Sequence, residues 1–318
     1  MSFKRAGRGR PRAYFSCILA WVMIHLICTF SCLQRLLLLA VAALLLSGCS
    51  QVRTTSPVEP VSREYKLLLD PARFDNTRIN ATIGELDRLA REAALASGVA
   101  YEGSLVPFRA TREVAFLDVP GQCSLRQRDL VLRLRSKKKK TTATLKYRTP
   151  LPAAIAGASN PWQQNASEIP VEVDITPPYN PVWSQSLSRK VRPGGLKNLR
   201  DLHALFPAAS SLAETQETRL AIVGNSPIRE EVRGKALLDL GSNGNMSLSL
   251  WYRADGDARP VIAELSFKYE RGKQDTSDEK RARKLFEALQ QLEGWISPRS
   301  MTKTAFIYAS STGFCEQE

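Results

Sequence analysis

From residue 62 onward, polar and apolar positions alternate with a period of two along much of the chain. This is the mark of strands with one buried face. Arg63 to Leu69 places Glu64 and Lys66 on one face, and Tyr65, Leu67 and Leu69 on the other. Thr111 to Val119 reads as a strand. Leu130 to Ser136 sets Arg133 and Arg135 against Leu132 and Leu134. A basic tip, Lys137 to Lys140, then turns the chain, and Thr141 to Thr149 returns with Thr144, Lys146 and Arg148 against Leu145 and Tyr147. Glu168 to Ile175 sets Glu172 and Asp174 against Val171, Val173 and Ile175. Further strands are expected at Glu217 to Val223, Val232 to Leu240, Met246 to Arg253, Val261 to Glu270 and Lys303 to Ala309. Helical spacing appears at Thr82 to Ala96 and Ser277 to Leu292, with a shorter helix expected at Leu196 to Leu205.

One strand with a charged face is ordinarily the wet side of a half-buried sheet. Here the pattern recurs in about seven strands, whose charged faces are rich in Lys and Arg yet hold isolated carboxylates. A closed antiparallel barrel accounts for this if the apolar faces pack outward under helices and the charged faces line a lumen. Such a lumen offers cations for phosphates and carboxylates for a hard metal ion. The expected class is α+β, a barrel flanked by helices.

The first 61 residues follow another pattern. An apolar run from Leu36 to Leu46 follows Arg35 and closes on Ser47-Gly48-Cys49. A positive segment, a short apolar segment and small residues before a cut mark an export signal. The cysteine after Ser-Gly adds lipid attachment at Cys49. The alternative is an uncleaved anchor, but the run is about half of the roughly 20 residues that a span needs. An earlier apolar stretch, Phe15 to Phe30, is either a true anchor or the result of a start set upstream of Met23. The expected organisation is a presequence at 1–48, a polar tether at 49–61 and one domain at 62–318. The expected location is the envelope, anchored to a membrane by lipid. In a double-membraned bacterium, Ser50 rather than Asp after the cysteine leads to the expectation of the outer membrane, with the domain facing the periplasm.

The formal net charge is +14. Removing the six presequence cations Lys4, Arg5, Arg8, Arg10, Arg12 and Arg35 leaves +8. A basic exported domain favours phosphate-rich anions or an anionic envelope component, and nucleic acid is not expected in that compartment. The alternative is a basic surface that only aids solubility. Beyond Cys49 the remaining cysteines are Cys123 and Cys315. An even pair in an oxidising compartment is expected to form a disulfide, the alternative being two buried thiols. His203 is the only histidine after residue 48, which argues against histidine acid–base catalysis and a His-rich metal site. There is no Walker A loop, no Cys-x-x-Cys and no nucleophile elbow.

The order of the strand motifs resembles a known family. Glu64-x-Lys66, then Leu-Arg-Leu-Arg around Arg133 and Arg135, Thr-Leu-Lys-Tyr-Arg around Lys146 and Arg148, Leu-Leu-Asp-Leu-Gly around Asp239 and Ala-Glu-Leu-Ser-Phe-Lys around Glu264 and Lys268 look like a CYTH domain. That family, the triphosphate tunnel metalloenzymes, is built on an eight-stranded antiparallel tunnel. The resemblance covers about 62–310, and its strength lies in the order of motifs rather than in any single one. It implies an anion site of Lys66, Arg133, Arg135, Lys146, Arg148, Arg219 and Lys268. It also implies a weakly held Mg²⁺ or Mn²⁺ ion on Glu64, Asp239 and Glu264.

Two departures bear on activity. Ser62 stands where the family's first opening Glu is expected, and Ser266 where the second Glu of its late motif is expected. The acidic set is depleted while the basic set is kept. The sequence therefore leads to a lipid-anchored tunnel that binds a phosphorylated or polyanionic ligand without efficient turnover. The alternatives are a metal-dependent triphosphatase or polyphosphatase, and a structural envelope lipoprotein whose barrel is a scaffold.

Overall fold

Because side chains alternate across a strand, a sheet with one charged and one apolar face must cover the apolar one. The computed structural model shows how. It describes residues 59–157, 160–162, 168–207, 209, 215–253, 256–271, 275–299 and 301–316. The presequence, Cys49 and most of the tether lie outside the described residues.

Ten strands form one sheet: β1 (Ser62–Leu69), β2 (Tyr101–Asp118), β3 (Leu130–Lys137), β4 (Lys140–Thr149), β5 (Val171–Thr176), β6 (Asn180–Val191), β7 (Ala221–Ile222), β8 (Ile228–Leu238), β9 (Ser242–Tyr252) and β10 (Ile262–Glu270). Their order is β3-β4-β6-β5-β1-β10-β9-β8-β2-β7, and a further pairing of β3 with β2 closes a ring. β7 adds only to the end of β2, at Leu117 and Asp118. Among the described residues the helices are α1 (Ile79–Ala96), α2 (Pro152–Ile155), α3 (Leu199–Leu205), α4 (Asp275–Gln290) and α5 (Lys303–Ala309). None is long and apolar enough to cross a membrane.

The apolar strand faces turn outward under helices. Tyr65, Leu67 and Leu69 of β1 share a core with Ile83, Leu86 and Ala90 of α1 and with Leu285, Phe286 and Leu289 of α4. On another side, Leu132 of β3 and Leu145 and Tyr147 of β4 share a second core with Leu199 and Leu202 of α3. A third cluster joins Ile307 and Tyr308 of α5 to Val114, Phe116, Trp251 and Ile262. Val114 and Phe116 lie two and four residues beyond Arg112, and Ile262 two before Glu264. These apolar residues therefore share the inward strand face with the charged ones, and α5 packs against that face. The disulfide Cys123–Cys315 is formed, and Cys123 belongs to the same cluster. Tyr308 also donates its hydroxyl hydrogen to the buried Asp118 at 2.7 Å.

The architecture corrects several expectations. The sheet has ten strands rather than eight, and it is not wholly antiparallel, because β1 and β5 run parallel. Lys303–Ala309 is a helix. Thr302 caps it by accepting from the Ala305 N–H at 3.1 Å, and a short apolar run does not by its period distinguish strand from helix. The strand expected at Glu217 to Val223 shrinks to Ala221–Ile222.

No strand was expected over β6, which follows Pro177 and Pro178 and contains Pro181. Pro181 sits opposite Ile175 of β5, while the β4 pairing starts only at Trp183, so its missing N–H leaves no ladder bond unmade on that side. β2 starts ten residues before Thr111. Its pairing with β8 carries register shifts between Ser104 and Ala110, which break the alternation. There Gly234 takes a φ of +56°, and a Cβ on it would lie 2.1 Å from the Leu105 Cα, so only glycine allows the approach.

Candidate functional site

The inward faces enclose a cavity of about 400 Å³. Among the described residues, eight cationic and three carboxylate side chains line it. β1 contributes Glu64 and Lys66, β2 Arg112, β3 Arg133 and Arg135, β4 Lys146 and Arg148, β5 Glu172, β10 Glu264 and Lys268, and α5 Lys303.

The charges fall into two paired groups, one arginine pair and the exposed Lys268. The first group centres on Asp174, 2% exposed. Lys66 Nζ lies 2.8 Å from its carboxylate, Lys146 Nζ 3.3 Å, and Arg148 donates to it as well. Burial alone would raise the Asp174 pKa, but Lys66, Lys146 and Arg148 outweigh it and hold the carboxyl well below the usual range. Lys66 is also 3.1 Å from Glu64, and the two carboxylates raise its pKa against the effect of burial. Lys146 titrates below an ordinary lysine, because burial and the nearby cations Arg148 and Lys66 outweigh Asp174.

The second group centres on Glu230 and Glu264. Lys303 Nζ lies 2.8 Å from Glu264, 3.6 Å from Glu230 and 2.8 Å from the Ser249 hydroxyl. Arg112 donates to Glu230. Burial opposes ionisation of Glu230, yet Lys303 and Arg112 hold its pKa far below the usual carboxylate range.

Arg133 and Arg135 stand apart. Both line the cavity, and the Nε of each is buried without a hydrogen-bond partner among the described residues. Burial, followed by repulsion from Arg135, pushes the Arg133 guanidinium down to about 9. Burial lowers Arg135 too. Two adjacent, partly buried cations without bonded carboxylates are electrostatically costly.

Six of the seven expected anion-site residues therefore meet in one cavity: Lys66, Arg133, Arg135, Lys146, Arg148 and Lys268. Arg219 does not. It lies outside the lining, on the segment bridged to Asn198 beside α3. Of the expected metal ligands, Glu64 and Glu264 line the cavity but Asp239 does not. β8 ends at Leu238, so Asp239 falls in the turn, where it pairs with Arg281 at 3.0 Å and accepts from the Ala100 N–H at 2.6 Å.

Sequence reasoning missed Glu172, Asp174, Glu230, Arg112 and Lys303 as site residues. Asp174 and Glu172 were recognised as one charged face. Their partners come from β1 and β4, which only the folded ring brings to them.

A divalent metal ion does not fit this donor set. Glu64 and Glu264 each face a lysine ammonium. Among the described residues, no group of three or more His, Cys, Asp or Glu side chains is arranged to hold a metal ion. Ser266 lines the cavity opposite Lys66 and Ser247, a hydroxyl where a carboxylate would add a hard ligand.

No protein-family model matches the chain, and no curated protein matches it. Solved structures do. A candidate adenylyl cyclase from Hippeastrum, described as having a dominant triphosphatase activity, is 12% identical with a TM-score of 0.41, covering 80% of this chain and 99% of that one. A candidate adenylate cyclase from Bacillus halodurans is 12% identical with a TM-score of 0.38, covering 78% and 96%. The PH1012 protein of Pyrococcus horikoshii is 12% identical with a TM-score of 0.32, covering 75% and 95%. At this identity and these TM-scores, neither activity nor site follows from the likeness.

Proposed function

We propose that the ring is a tunnel that binds a phosphate-rich anion without metal-dependent turnover, in an exported protein held at a membrane by a lipid on Cys49. The observation that carries this reading is the pair Arg133 and Arg135, whose buried Nε groups lack a partner while the three lining carboxylates are each engaged by lysine. A ligand phosphate supplies what the two guanidiniums lack: oxygens that accept charge-assisted hydrogen bonds, with the planar fork suited to bidentate contact. Lys66, Lys146 and Arg148 sit beside them, already held in position by Asp174.

The acidic side supports binding over cleavage. Activating water with a divalent ion needs free hard ligands, and here the carboxylates serve as counter-ions for lysines. The geometry favours holding an anion over breaking it.

Two measurements test the reading. Calorimetric titration of the purified chain with pyrophosphate and tripolyphosphate should show binding that weakens as salt rises. A phosphate-release assay with Mg²⁺ or Mn²⁺ should show no efficient turnover. The anchor is tested separately by fractionating cells that express Cys49→Ser. The variant should remain unprocessed or become soluble, since the acyl chains supply the membrane affinity. If the variant stays membrane-bound at the mature size, the lipid reading fails.

A further inference from the structure

Beside the inner cavity lies a second pocket, of about 520 Å³, lined by Arg112, Lys137, Lys138, Arg229 and Arg253 with Glu113 as its one carboxylate. The two cavities share Arg112. They are also joined along β3. Arg133, Arg135 and Lys137 are alternate residues of one strand and so face the same way. The first two line the inner cavity and the third lines the outer one. Arg133 and Lys137 are four residues apart, about 13 Å along a strand. The row of cations thus leads out of the ring.

Three of the five outer cations are not engaged by a carboxylate among the described residues. Among the described residues no ion pair engages Lys137, Lys138 or Arg253, and all three are exposed. Arg229 is held over the Tyr252 ring at 4.1 Å and lies 3.6 Å from Glu231, which fixes its position. Like charges so grouped repel one another, and closing the β3–β4 hairpin sets Lys137 directly opposite Lys140. An anion in the pocket relieves that repulsion.

We propose that this pocket is a second anion subsite, and that the ligand is an extended phosphate-bearing chain that occupies both cavities at once. The proposal rests on the inner cavity being an anion site and adds a requirement for length. A short anion fills the inner site alone. A longer one also reaches Lys137, Lys138 and Arg253, and its second contact is made at the high effective concentration that a tether gives.

The test uses the full chain and linear phosphates of increasing length, from pyrophosphate to chains of about 15 units, at one fixed salt concentration. The wild type should bind long chains at least about tenfold more tightly than pyrophosphate, the scale of one further charge-assisted contact. The double variant Lys138→Glu, Arg253→Glu should keep pyrophosphate affinity within about twofold and lose the advantage of length. A control with the same change in net charge, Arg88→Glu with Lys280→Glu on the outer helices, should keep that advantage. The subsite is refuted if long and short chains bind alike, or if the control and the outer variant lose affinity equally. If pyrophosphate fails to bind while long chains still bind through Lys138 and Arg253, the inner-site reading fails and the outer subsite stands.

Discussion

Lys303 Nζ lies 2.8 Å from Glu264 and 3.6 Å from Glu230, so one ammonium from the C-terminal helix bridges two buried carboxylates of the ring, the second of which Arg112 also pairs. With Lys303 in place, the acids best positioned to hold a hard metal are already satisfied. Lys303→Met removes the ammonium and keeps most of the length. The variant is expected to bind Mn²⁺ or Mg²⁺ more tightly than the wild type, as read by calorimetry or by the Mn²⁺ electron paramagnetic resonance signal. Equal metal affinity in the two proteins would show that Lys303 is not what excludes the ion. Adding Glu at Ser62 and Ser266 should raise the affinity further, because each adds a hard ligand.

Asp174 holds three cations together. Asp174→Asn leaves Lys66, Lys146 and Arg148 adjacent with their shared counter-charge gone. The expected loss is about 3–5 kcal/mol of stability, the scale for breaking a buried pair by removing one partner. Denaturant unfolding at neutral pH measures it. The wild-type pH dependence follows from the same group. The folded-state pKa of Asp174 is depressed below its unfolded value, so its contribution is fully present above the unfolded value of about 4 and is lost as pH falls through the folded one. Glu230 acts in the same direction. Wild type should therefore lose stability below about pH 4, and Asp174→Asn should lose less over that window.

The Cys123–Cys315 bond joins positions 192 residues apart and lies beside the cluster that seats α5. Cys315→Ser is expected to lower stability by about 2–4 kcal/mol, the usual range for closing a long loop. It should also loosen the helix that presents Lys303. Alkylation of the unfolded, unreduced chain followed by peptide mapping checks the bond: Cys123 and Cys315 should be unlabelled. Labelling at both positions would show two thiols.

Much of the interior could be read from the chain itself. Glu64 with Lys66, Arg133 with Arg135, and Lys146 with Arg148 lie on regular strands, where a period of two reports the facing of each side chain directly. Reading failed where the backbone departs from that period. The bulges near Gly103 and Gly234 hid the first half of β2, and β8 ends at Leu238, one residue short of the expected Asp239. Lys303 was hidden because a seven-residue apolar segment fits a strand as well as a helix. The Asp174 hub involves three strands far apart in sequence, and alternation carries no information about which strands become neighbours.

In the proposed function, Arg133 and Arg135 are cations held ready for an anion. The most direct measurement is calorimetric titration of tripolyphosphate into wild type, Arg133→Ala and Arg135→Ala, repeated from pH 7 to pH 10. Each substitution should cost about 1.5–3 kcal/mol of binding, the scale of a hydrogen bond to a charged group. Wild-type affinity should fall at the alkaline end of that range, because burial and the nearby cations Arg148 and Lys66 make the Lys146 ammonium lose its charge sooner than an ordinary lysine. Affinity unchanged by both substitutions, or brisk metal-dependent release of phosphate that Glu264→Gln abolishes, would contradict it.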